Sequence, residues 1–142
     1  MVGIIVTGHG NFATGVLSAA KLIAGTPEKL IGIDFTENDT VETLEEKIKK
    51  GIEELNTEEI LVLADLAGGS PFKVSATIGV SSDKNIKVLS GTNLGMIIET
   101  ALLRDGKNLE EVVAFAKESG VTSIQEFEMK VKKEIEDCED GI

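Results

Sequence analysis

Apolar residues along this chain follow two rhythms. Short β-branched runs at Val2–Val6, Leu30–Phe35, Ile60–Ala64 and Ile86–Leu89 read as interior strands, and Thr122–Phe127 reads as a fifth. Between them the period lengthens. Val41, Leu44, Ile48, Ile52 and Leu55 recur at spacings of 3, 4, 4 and 3, one stripe of a helix that Asp39 or Thr40 can cap. Glu46 and Lys50 form a favourable exposed pair one helical turn apart. Phe12–Ala24 predicts a helix closed by Gly25 and then Pro27. Pro71–Ser81 begins with a proline at a first-turn position, where the missing N–H costs nothing. Leu94–Leu103 and Leu109–Lys117 complete the set, and Met129–Cys138 predicts a charged terminal helix.

Alternating strands and helices imply an α/β fold: a doubly wound, mostly parallel five-stranded sheet of order 2-1-3-4-5 with helices on both faces. In that order the switch point lies between strands 1 and 3, and ligands bind beyond the C-terminal ends of the strands there. His9 follows strand 1 and Asp65 follows strand 3. Two polar residues far apart in sequence are thereby brought to one crevice.

Composition narrows the chemistry. A chain of 142 residues with 42% hydrophobic content fits one packed domain. The absence of Trp and Tyr, with only five Phe, makes the core aliphatic and argues against base or sugar stacking. A net charge of −11 without clustered Lys or Arg disfavours nucleic acid and acidic membrane surfaces. A lone cysteine, Cys138, supports neither a disulfide framework nor a multi-cysteine metal site, so a reducing compartment is the default. No apolar run approaches the roughly 18–20 residues of a membrane span and no signal-type segment opens the chain, so a cytoplasmic protein without metal or other cofactor is expected.

His9 is the only histidine, and it stands in Thr7-Gly8-His9-Gly10-Asn11-Phe12. After strand 3 the chain reads Asp65-Leu66-Ala67-Gly68-Gly69-Ser70-Pro71-Phe72. Gly68 and Gly69 present backbone N–H groups unobstructed, and Ser70 takes the N-cap position before Pro71. The free amides and dipole of that helix start favour an anion. A histidine, a carboxylate and an anion cradle in one crevice fit phosphoryl transfer through a phosphohistidine. One imidazole nitrogen attacks phosphorus, while Asp65, accepting the other N–H, fixes the tautomer and steadies the ring's charge. Amides at Gly68, Gly69 and Ser70, with the hydroxyls of Ser70 and Thr7, hold the phosphoryl oxygens. Transfer between two nitrogens calls on positioning more than on a metal.

Rival readings of the same residues exist. Gly8-His9-Gly10-Asn11-Phe12-Ala13 matches a dinucleotide fingerprint, with Asp34 at the end of the second strand as the ribose acid. Asp34 nevertheless lies farther beyond Gly8 than the usual spacing of about 20 residues. A serine hydrolase would want glycine where Pro71 and Phe72 stand. Taken singly, His9 could be an exposed loop residue, Asp65 a helix-start residue and Gly68–Pro71 an ordinary cap; their convergence carries the site.

Together Gly8-His9-Gly10-Asn11-Phe12-Ala13, Ile33-Asp34-Phe35, Asp65 through Phe72, and the loop Gly91-Thr92-Asn93-Leu94-Gly95-Met96 resemble the mannose-family enzyme IIA of the bacterial phosphoenolpyruvate-dependent sugar phosphotransferase system. The resemblance covers residues 1–127, leaving 128–142 as a charged tail or helix. It implies that His9 accepts phosphate from the histidine-containing phosphocarrier protein and passes it to a histidine of enzyme IIB. It implies Asp65 as the ring's hydrogen-bond partner, a last strand running antiparallel, and a homodimer. Asn11, Phe12, Phe72 and Asn93 are expected at the partner face, with Phe35 a third candidate phenylalanine there that reads first as ordinary core. Where related sequences often carry proline after strand 4, this chain has Gly95. No enzyme IIB segment lies within the sequence, so that partner is expected on a separate chain, reaching a membrane transporter. Similar domains serve as the phosphotransferase subunit of dihydroxyacetone kinase, an alternative within the same chemistry.

Overall fold

The computed structural model describes residues 1–129. Its elements run β1 (Gly3–His9), α1 (Phe12–Ala24), β2 (Leu30–Phe35), α2 (Val41–Leu55), β3 (Glu59–Ala64), α3 (Ser70–Ser81), β4 (Asn85–Leu89), α4 (Leu94–Leu103) and α5 (Leu109–Thr122). Among the described residues the sheet has four strands in the order β2-β1-β3-β4, every neighbouring pair parallel. Strand β1 has no exposed residue before its last, as a central parallel strand requires.

The strands' alternating side chains build two cores. On one face Ile4, Val6, Leu61 and Leu63 pack with Ala13, Ala20, Met96, Ile97, Val112 and Ala116 of α1, α4 and α5. On the other, Ile5, Ile33, Ile60 and Val62 pack with Leu44, Ile48 and Ile52 of α2 and Val74 and Ile78 of α3. The result is the doubly wound α/β arrangement, three layers deep, with its switch point between β1 and β3.

Among the described residues the expected antiparallel fifth strand over Thr122–Phe127 is not formed. Helix α5 runs through Thr122, and residues 123–129 have no regular structure. The cause lies in packing. Gly120 is buried against Met96, where a Cβ would come within 2.5 Å of the methionine methyl, so the helix passes closely over α4 despite its weak formers Gly, Val and Thr. The expected helix over Met129–Cys138 lies outside the described residues save for Met129, which has no regular structure.

One smaller expectation narrows and another changes. Thr40 caps α2 in a capping box with Thr43, while Asp39 gathers Thr36, Thr43 and Lys47. The ion pair along α2 is Glu45 with Lys49, at 3.1 Å, in place of Glu46 with Lys50. At the opposite end of the molecule, Arg104 is buried and donates to the carbonyls of Val2, Lys29 and Glu28, tying the end of α4 to the entries of β1 and β2.

Candidate active site

Strand β1 extends three residues beyond its apolar run because its neighbours continue to pair with it. Gly8 stands opposite Asp34 and His9 opposite Phe35 on β2, and Thr7 stands opposite Ala64 on β3. His9 is therefore the last residue of a central strand, held by a sheet ladder. Gly8 is needed there for space: a Cβ would come within 2.6 Å of the Phe12 ring and 2.9 Å of the Asp65 carboxyl carbon.

Asp65 follows β3 immediately, its own amide still donating to the Thr7 carbonyl at 3.1 Å. One oxygen, Oδ2, accepts both the His9 amide at 2.9 Å and His9 Nδ1 at 2.8 Å. The other, Oδ1, accepts the Leu66 amide at 2.8 Å. Burial alone pushes the Asp65 carboxyl up, but these hydrogen bonds outweigh it and leave the carboxyl below the ordinary aspartate value. Asp65 is a carboxylate at neutral pH. With the acceptor on Nδ1, that nitrogen carries the proton and Nε2 keeps its lone pair.

The free side of the ring meets α3. A Cβ on Gly69 would lie 2.6 Å from His9 Cε1 and 3.2 Å from Nε2, so only glycine lets the helix start approach this closely. Gly68 has φ +81°, making the turn that brings α3 over the imidazole. Gly69, not Ser70, takes the N-cap position, and no side chain caps the helix. The first helical bond runs from the Lys73 amide to the Gly69 carbonyl, so the Ser70 and Phe72 amides have no intrahelical partner. From the β2 side, the Phe35 ring meets the imidazole edge-to-face, centroids 5.9 Å apart and planes at 72°. The His9 side chain is 46% exposed and that of Asp65 only 12%, so the nucleophile is open and its partner sheltered.

The sequence-predicted residues divide accordingly. Asp65 and Gly69 come against His9, with Gly68 and Ser70 on either side of Gly69 in the turn into α3. Thr7 does not: its side chain is fully buried and its hydroxyl has no hydrogen-bond partner, so it offers no surface to an arriving group. Asn93 is also occupied, its Oδ1 accepting the Met96 amide and its Nδ2 donating to the Gly120 carbonyl, which makes it a helix cap and an interhelical tie. Asn11 is exposed at the start of α1. Phe12 is half-buried against the core, and Phe72 lines a neighbouring groove of about 570 Å³ with Leu89, Gly91 and Val121. Sequence reasoning does not reveal the contact of Phe35 with the imidazole, nor Leu66 beside Gly69. Phe35 reads as core in the pattern and is half-buried, while Leu66, 52% exposed, has no neighbour in sequence that marks it.

The dinucleotide arrangement is not supported. Both carboxylate oxygens of Asp34 accept from Thr14, its amide at 3.0 Å and its hydroxyl at 2.6 Å, so the supposed ribose acid is turned onto the first helix. Among the described residues no group of three or more His, Cys, Asp or Glu is placed to hold a metal ion, and no helix is long and apolar enough to cross a membrane.

Known proteins share this arrangement of chain. Residues 3–117 match the sequence family described as "PTS system fructose IIA component". The chain is 33% identical over 131 residues to the mannose-specific EIIAB component of Escherichia coli, covering 91% of this chain but 40% of that protein, so it spans less than half of that relative's length. It is 28% identical over 126 residues to the fructose-specific EIIA component of Bacillus subtilis, covering 88% of this chain and 86% of the relative. Its fold is similar to the crystal structure of phosphotransferase system component EIIA from Streptococcus agalactiae, with a TM-score of 0.84 and 39% identity over 89% of this chain and 98% of that one.

Proposed function

Since the chain belongs to the family of fructose- and mannose-type IIA components of the phosphotransferase system, we propose that it is a phosphohistidine carrier that relays a phosphoryl group through His9. The observation that carries this reading is the 2.8 Å bond from His9 Nδ1 to Asp65, which leaves Nε2 on the ring edge that Gly69 at the start of α3 faces. In the forward step the N–P bond of a phosphorylated histidine on the donor breaks as the Nε2–P bond forms. The donor nitrogen leaves with the electron pair, and the proton stays on Nδ1, donated to the Asp65 carboxylate. Delivery reverses the geometry toward the acceptor. Asp65 steadies the ring, which is positive while both nitrogens are substituted, and the amides of Ser70 and Phe72 receive the phosphoryl oxygens.

The donor in this reading is the histidine-containing phosphocarrier protein, and the acceptor is an enzyme IIB that serves a membrane sugar transporter. The chain works as a cytoplasmic homodimer whose domain spans residues 1–127. Asn11, Phe12, Leu66 and Phe72 contribute to the docking face around the crevice. Because His9 is the sole imidazole, phosphoenolpyruvate with the two general phosphotransferase proteins adds a single acid-labile phosphoryl group, read by intact mass. Labelling that survives in His9→Ala overturns the assignment.

A further inference from the structure

The imidazole is gripped from both flanking strands, and only one grip is polar. From β3, Asp65 holds Nδ1 through one hydrogen bond. A single bond restrains distance but lets the ring tilt about Cα–Cβ and Cβ–Cγ. From β2, Phe35 lies opposite His9 in the strand register and meets its ring edge-to-face at 5.9 Å. Phe35 is itself doubly anchored. Its carbonyl accepts the Gly10 amide at 2.7 Å, and its side chain packs against the α2–α3 core around Ile5 and Ile33. Gly69 closes the third side at the Cε1–Nε2 edge.

We propose that Phe35 is a positioning residue for phosphoryl transfer. It stops the imidazole from tilting away from α3 and keeps Nε2 aimed where phosphorus arrives. The role rests on the phosphohistidine reading above and acts through His9, without contact to the phosphoryl group. In-line attack tolerates errors of only about 0.5 Å and 10–20° at the reacting atom. A hydrogen bond at the far nitrogen cannot enforce that alone. An aromatic face can, because it presents a broad rigid wall at little entropic cost.

The test uses the full chain in three forms: wild type, Phe35→Leu, which keeps apolar bulk over the core, and Phe35→Tyr, which keeps the ring. Phe35→Leu is expected to lower kcat for phosphoryl uptake about tenfold with KM for the donor unchanged, and Phe35→Tyr to restore it. An independent readout is the NMR cross-relaxation between His9 Cε1–H and a Gly69 α-hydrogen, strong in wild type and in Phe35→Tyr and weakened in Phe35→Leu. This readout needs no phosphorylation. If the wild type takes up no phosphoryl group, the functional reading fails while the ring's restraint is still measured. A Phe35→Leu protein with wild-type kcat, an unchanged cross-relaxation, or a loss confined to KM overturns the inference.

Discussion

The two ends of the sheet join separate segments with one polar side chain each, and they do so for opposite ends. At the C-terminal edge His9 reaches across to Asp65 with one ring edge bonded and the other exposed. At the N-terminal edge Arg104 is 1% exposed, its Nη1 and Nη2 donating to the carbonyls of Val2, Glu28 and Lys29 and its Nε sealed in without a partner. Burial pulls the Arg104 guanidinium below the ordinary arginine value, and the charges of Asp105 and Glu28 pull it back. A carboxylate partner leaves a histidine nitrogen available. Backbone carbonyls around a guanidinium leave nothing available. The lesson is that the same device, one side chain bridging two strands' ends, becomes a reactive site or a clamp according to how much of it is sealed.

The largest way to break this comparison is at the clamp. Arg104→Ala strands carbonyls that the guanidinium now satisfies and opens a cavity under α4, and unfolding by urea is expected to show a loss of about 3 kcal/mol. Phosphoryl uptake by the folded fraction should stay at the wild-type rate, because Arg104 lies at the opposite edge of the sheet from His9. A neutral Arg104→Ala would mean that releasing a buried charge cancels the lost bonds, and the N-terminal edge would then be no clamp.

At the other edge the expected loss is in rate. Asn at position 65 can place its oxygen to accept the two His9 donors, but its NH2 then faces the Leu66 amide that Oδ1 now accepts. Either arrangement loses a bond, and the neutral amide no longer balances a positive ring. Asp65→Asn should slow phosphoryl transfer about 100-fold, within the range for an orienting or proton-holding group, and leave urea stability within about 1 kcal/mol of wild type. Rapid-quench phosphorylation alongside urea titration measures both. Wild-type transfer would remove Asp65 from the mechanism.

The two edges also differ in how far the sequence reveals them. His9 and Asp65 could be paired in advance because strand order follows from alternating β and α signals, and a 2-1-3 order makes the ends of β1 and β3 neighbours. The strand runs past its apolar pattern, since Thr7-Gly8-His9 carries no such pattern and only the flanking strands keep it extended. Thr7 looked available in a loop and is buried in a sheet. Phe35 at the end of a strand reads first as core, and its contact with the histidine appears only once β1 and β2 are in register. Arg104 gave no signal: a basic residue at a helix end reads as solvated, and the carbonyls it meets lie more than seventy positions away. The missing fifth strand shows the same limit, because Thr122–Phe127 offers strand-forming Thr, Ile and Phe, but Ile124 and Phe127 lie three positions apart rather than alternating and both are exposed.

The smallest expected effect sharpens the comparison by its dependence on pH. The Asp65 carboxyl titrates below its ordinary value because the His9 amide and ring and the Leu66 amide favour its charged form against the opposing effect of burial. A depressed folded value means that the unfolded chain binds the proton first as pH falls. The stabilisation is thus fully present above the unfolded aspartate value of about 4 and is lost as pH drops through the lower folded value. Asp39 is depressed as well, chiefly by the Lys47 ammonium with help from Thr36 and Thr43 donors, so wild-type acid unfolding alone does not isolate Asp65. The difference between wild type and Asp65→Asn does, since Asp39 contributes equally to both. Urea titrations from about pH 6 to about pH 2.5 should show that difference constant down to about pH 5 and shifting against the wild type below about pH 4. A difference that ignores pH would mean the Asp65 hydrogen bonds are indifferent to its charge. His9 would then be held by shape, from Phe35 and Gly69, and the reactive edge would resemble the sealed one more than its geometry implies.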